Sequence, residues 1–138
     1  MECTVRWTSG MGFLAETGSN HVVPMDGAPE AGGRNLAPRP MEMVLVGTGA
    51  CSASDVVVIL RKSGQEISAC EVKVTSERAD WDPKVFTRIH MHFTVRGRSL
   101  KRNLVEQAIR LSHEKYCSAS IMLGKTAEIT KDFELVEG

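Results

Sequence analysis

Residues 41–62 constrain this chain more than any other stretch. They carry Val44, Leu45 and Val46, then Val56, Val57, Val58, Ile59 and Leu60 without a break. Such a run of β-branched residues would also suit a strand. Its length and its lack of alternation decide for one long helix. Pro40 fits the first turn, where a missing N–H costs nothing, and Ser63-Gly64 supplies the stop. A helix apolar on nearly every side is expected to be buried. Gly47 and Gly49 each cost about 1 kcal/mol against Ala, so another helix or a ligand is expected to pack closely on them.

The flanking segments read as strands and a second helical region. Residues 2–8 alternate as a half-buried strand, and residues 13–16 and 21–25, set off by turn signals, read as two more short strands of a meander. Residues 26–40 hold Gly27, Pro29, Gly32, Gly33, Pro38 and Pro40. That density of breakers predicts a loop, and loops this long are often functional. Residues 69–79 and 86–96, divided by Asp80-Trp81-Asp82-Pro83 and closed by Gly97, predict an antiparallel hairpin. Ser99 is the expected N-cap of a helix running to about Lys115, with Leu100, Leu104, Ala108 and Leu111 as its apolar stripe. A short helix over Ala119–Leu123 and a last strand over 126–136 complete an α+β chain, read as one domain over 1–138.

Lys plus Arg and Asp plus Glu number 17 each, so the net charge is zero. This argues against a nucleic-acid partner, which calls for a basic stripe. The longest uncharged apolar run, Met43 to Ser54, reads as too short to span a bilayer. The Met1-Glu2-Cys3-Thr4 start has no signal-peptide pattern. A cytoplasmic location without membrane association is therefore expected.

The chemistry points to cysteine. Cys-Ser-Ala-Ser occurs twice, at Cys51–Ser54 and Cys117–Ser120. Cys51 falls well inside the long helix, and a buried packing role is the plain alternative for it. Cys117 precedes the short helix, where N–H groups of residues 118–120 can stabilise a thiolate; His113 and Lys115 are near in sequence. Cys3 and Cys70 read as strand packing residues. None of the four cysteines has Cys-x-x-Cys spacing, so neither a zinc ribbon nor a thioredoxin motif is indicated. His90-x-His92 puts two rings on one strand face, and a solvated face is favoured there over a metal site. No metal or prosthetic group is expected. Two matched thiols suit a cycle in which one is oxidised by a peroxide and the other resolves it as a disulfide.

Pro40-Met41-Glu42-Met43-Val44-Leu45 leading to Gly49-Ala50-Cys51, together with Glu114-Lys115-Tyr116-Cys117-Ser118, resembles the OsmC/Ohr family of organic-hydroperoxide-reducing proteins, in its YhfA-like branch. The resemblance covers nearly the whole chain. It implies an OsmC-like fold, with antiparallel sheets wrapped around two long central helices of an intertwined homodimer, and active sites at the subunit interface. It also implies a peroxidatic Cys51, a resolving Cys117, an organic hydroperoxide as substrate and a dithiol reductant. The family's peroxidases carry Glu directly after the motif's Pro; this chain has Met41 there and Glu42 one place later. The family's activating Arg comes from the early strands, and this chain has none between Arg6 and Arg34. Arg39, or Arg34 in the same loop, is then the guanidinium available, with Glu42 its carboxylate. Helix position favours Cys117 as the more acidic thiol, and the resemblance favours Cys51. Two other functions stay open: a non-enzymatic module binding a small ligand beside Gly47 and Gly49, and a thiol redox switch.

Overall fold

The computed structural model describes residues 1–138. The chain divides into two compact units, residues 1–45 and 46–138.

The first unit begins with an antiparallel meander of β1 (Cys3–Trp7), β2 (Phe13–Thr17) and β3 (Val22–Met25). Its register pairs Val5 with Ala15 and Ala15 with Val23. β1 was expected to be half-buried, yet all five of its residues are exposed, Trp7 to 68%. Its alternation therefore buries neither face of the strand. The Gly/Pro-rich stretch is a loop with one 3-10 turn over Pro29–Ala31. Asp26 organises it: the buried carboxylate accepts N–H groups from Gly27 (2.8 Å), Arg34 (3.2 Å) and Leu36 (3.2 Å).

Helix α1 (Pro40–Lys62) starts in the first unit and continues into the second. Pro40 is its first helical residue, and the side chain of Glu42 accepts the backbone N–H of Arg39 at 3.0 Å. This is half of a capping box, with Glu at the third helical position. At the far end Gly64 takes φ +73. The N–H of Gln65 reaches the carbonyl of Leu60 and that of Gly64 reaches Arg61, the paired bonds of a Schellman stop.

The second unit places a sheet of β4 (Glu66–Arg78), β5 (Phe86–Arg98) and β6 (Glu128–Glu137) beside α1 and α2 (Arg102–Leu111). Val56 and Leu60 of α1, Ile89, Met91, Phe93 and Val95 of β5, and Val105, Ala108 and Ile109 of α2 form its core. Each large side chain buried there contributes roughly 1.5–3 kcal/mol.

Five expectations change here. α1 is not buried all round: only Thr48, Gly49, Ser52, Val56 and Leu60 are covered, one stripe at four-residue spacing. Val46 and Val58 stay 58% and 48% exposed. By length and apolarity alone this 23-residue helix could cross a membrane, a test that core helices of globular proteins also pass; the shorter run from Met43 had argued otherwise. β6 pairs with β5 in parallel, Phe93 opposite Phe133, so the second sheet is mixed rather than antiparallel. Gly97 does not end β5 but lies within it, because a Cβ there would overlap the carbonyl oxygen of Glu66 and crowd Leu100. Ser99 does not cap α2: it sits at φ +51, and its N–H is held by the Glu137 carboxylate at 3.1 Å. Lys101 is the capping residue, and its N–H goes to Gln65 Oε1 at 2.8 Å. The start of α2 is thus fixed by side chains from distant elements.

Candidate functional site

The site lies in the second unit, where α1 meets the turn after α2. α2 does not run on smoothly to Lys115. Residues Ser112–Tyr116 form a π-helical turn, closed by the Cys117 N–H on the Ser112 carbonyl at 2.7 Å. The wider turn ends the helix and makes Cys117 the N-cap of α3 (Ser118–Leu123). π-Helical turns of this kind are frequent at functional sites.

This arrangement brings the two repeated motifs together. The sulfurs of Cys51 and Cys117 and a carboxylate oxygen of Asp55 all lie within 4.8 Å of one another. Cys51 and Asp55 are one turn apart on α1 and only partly covered, whereas Cys117 is fully buried. All four cysteines are free thiols. The Cys117 sulfur accepts the Ser120 N–H at 3.4 Å, as its place before a helix predicts, and rests near the Thr48 carbonyl at 4.0 Å. Burial nevertheless pushes the Cys117 thiol up, and the neighbouring Cys51 adds to this; the Ser120 hydrogen bonds only partly oppose it. Desolvation here outweighs the helix-start effect.

Asp55 stands one turn after Cys51 on α1. Its Oδ2 accepts the hydroxyl hydrogen of Ser112 at 2.9 Å, and the Ser112 oxygen is 3.1 Å from that of Ser52. Both serines are buried. The only sequence signal for Asp55 was its four-residue spacing from Cys51, since Ser112 arrives from 57 residues away.

The remaining predicted residues are placed elsewhere. Arg39 and Glu42 do pair, Nη1 to Oε1 at 3.2 Å, at the start of α1 in the first unit. The two N–H groups of Arg39, backbone and guanidinium, hold the Glu42 carboxyl below its usual range. Arg34 turns to Ser9 Oγ at 2.9 Å. Gly49 does have a close neighbour, but it is a strand and not a helix or ligand: a Cβ there would stand 2.9 Å from Val74 Cγ2 of β4, whereas nothing lies within 4 Å of one on Gly47. Cys70 is half-buried, and burial raises its thiol. Cys3 is exposed, not packed. His90 and His92 share Asp132 Oδ1, at 2.9 and 2.7 Å, on the outer face of the sheet. That hydrogen bond raises the His92 pKa.

Residues 32–131 match the family model described as OsmC-like protein. The chain belongs to this family. It is similar to protein YhfA of Escherichia coli strain K12, with 49% identity over 136 residues covering 99% of this chain and 98% of that one. Among solved structures, a hypothetical protein from Aquifex aeolicus VF5 is 27% identical, covering 99% of this chain and 96% of that one, with a TM-score of 0.87. An organic hydroperoxide resistance protein, OsmC, from Legionella pneumophila shares the fold at 16% identity and a TM-score of 0.71, with 97% of each chain covered. The α+β fold and the OsmC/Ohr resemblance read from the two cysteine motifs are thereby borne out.

Proposed function

We propose that this protein reduces organic hydroperoxides through Cys51 and Cys117. The observation that carries the reading is the approach of the two sulfurs to within 4.8 Å from positions 66 residues apart in the chain. The partly covered Cys51 is the peroxidatic thiol. Its thiolate attacks one oxygen of the O–O bond, which breaks to release an alcohol and leaves a sulfenic acid. The buried Cys117, with its raised pKa, is poorly suited to lead the attack and well placed to follow it. It condenses with the sulfenic acid, water leaves, and an external dithiol reduces the resulting disulfide.

Arg39, held by Glu42 at the start of α1, lies twelve residues before Cys51, about 18 Å along the helix axis, so the reading assigns it no direct contact with that thiol within one chain. A homodimer goes with the same reading, because Val46 and Val58 leave an apolar face of α1 open. So does a cytoplasmic setting, where thiols stay reduced. The test is one equivalent of cumene hydroperoxide on the reduced, chelator-treated protein, with thiol loss followed in time and disulfides mapped by peptide mass spectrometry. Fast loss of two thiols as a Cys51–Cys117 bridge is expected. Loss at the rate of free cysteine, or no bridge, overturns the reading in favour of a small-ligand-binding role. Repeated turnover with a dithiol present separates a peroxidase from a one-shot redox switch.

A further inference from the structure

We propose that Cys51, Cys117 and Asp55 of the reduced protein form a three-donor site for zinc(II), with a fourth position open to water or a small ligand. The inference stands on the geometry of these three side chains and does not require the peroxidase reading.

Two sulfur donors and one carboxylate oxygen already lie within 4.8 Å of one another. A tetrahedral zinc ion with bonds of about 2.3 Å to sulfur and about 2.0 Å to oxygen needs donors about 3.5–3.8 Å apart. The site therefore needs to close by no more than about 1.3 Å, within reach of small side-chain rotations. Its donor chemistry is selective. Two thiolates disfavour magnesium and calcium, and the carboxylate oxygen makes the set harder than copper(I) prefers.

The surroundings resemble those of a metal site. Ser112 donates to Asp55 Oδ2 at 2.9 Å, the outer hydrogen bond that ligating carboxylates commonly have. Ser112 is itself held by Ser52. The Ser120 N–H already points at the Cys117 sulfur and would partly neutralise a bound thiolate. None of the chain's ion pairs involves Asp55, so a partly covered carboxylate faces two thiols with no cation of its own. The partial exposure of Cys51 and Asp55 provides an entry path.

A consequence follows for the thiols. Metal and disulfide are mutually exclusive states of one pair. Two thiolates, one organic hydroperoxide and two protons give a disulfide, an alcohol and water, and the zinc ion leaves because its sulfur donors are gone.

The experiment uses the full-length reduced protein carrying Cys3→Ser, which removes the exposed thiol. Cobalt(II) should produce a near-ultraviolet sulfur-to-metal band and tetrahedral visible bands, abolished by one equivalent of zinc(II). Cys51→Ser and Cys117→Ser should each roughly halve the near-ultraviolet band. Asp55→Asn should weaken cobalt affinity tenfold or more while leaving the circular dichroism unchanged. Zinc should also shield Cys51 and Cys117, but not Cys70, from alkylation; this readout needs no substitution at the site and stands even where Asp55→Asn fails to fold. Absence of the bands at millimolar cobalt, unchanged affinity in Asp55→Asn, or no shielding of the pair would overturn the site. The peroxide test above is done without metal, so failure of one proposal leaves the other measurable.

Discussion

Cys117 shows how burial can reverse what local sequence suggests. A cysteine at a helix start is ordinarily made more acidic, and the Ser120 N–H is indeed on its sulfur at 3.4 Å. Full burial acts the other way and raises the thiol. Cys117→Ser is therefore expected to leave Cys51 able to react with hydroperoxide but unable to form the bridge. A trapping reagent for sulfenic acid should then label Cys51, and Cys51→Ser should abolish both label and bridge. Asp26 is a second case of an environment acting on a titrating group. Three backbone N–H groups, that of Gly27 foremost, hold its carboxyl below the usual range. A depressed carboxyl stabilises the fold above its unfolded pKa of about 3.9, and that contribution is lost as pH falls through the lower folded value. Melting temperatures taken downward from pH 5 should fall more steeply for the natural chain than for Asp26→Asn. Parallel curves would mean that the loop does not depend on this charge.

At the scale of elements, two glycines in regular structure answer to different neighbours. Gly97 lies where β5 passes against the Glu66 carbonyl, and backbone on that side cannot give way. Gly97→Ala is expected to cost about 3 kcal/mol, read as a fall in melting temperature of at least about 5 °C. Gly49 faces only the tip of Val74, so its substitution should cost less. The π-helical turn is the other element that local pattern could not reveal. Its extra residue per turn brings Ser112 to Asp55 and Cys117 to Cys51 at once. Helical periodicity predicted that residues through Lys115 were helical, and they are. Periodicity carries no sign of one bond that spans five residues instead of four.

For the whole molecule, the open question raised by α1 is what covers it. The sequence asked for burial on every side, and the single chain supplies one stripe. Val46 and Val58, with Trp7 and Val5 of β1, are apolar and open. On the homodimer reading a second copy covers α1. Light scattering should then give the mass of two chains, and Val46→Lys or Val58→Lys should shift it toward one. A single-chain mass for the natural protein at micromolar concentration would reject the dimer.

Much of this protein was legible in its residues alone. The breakers placed the loop, the alternation placed the strands, and the apolar run placed α1 to within one residue of its observed start. The repeated Cys-Ser-Ala-Ser marked the two thiols that meet. These features are local, and the backbone reads them within a few residues. Tertiary structure decided the rest. Parallel pairing of β6 depends on how the chain returns after α3, and no pattern within a strand records its partner's direction. The cap of α2 moved from Ser99 to Lys101, and the backbone N–H groups of Lys101 and Ser99 are held by Gln65 and Glu137, each more than 30 residues away. Asp55 became part of the site only when Ser112 and Cys117 folded onto it, because proximity between distant residues is set by packing and not by their spacing along the chain.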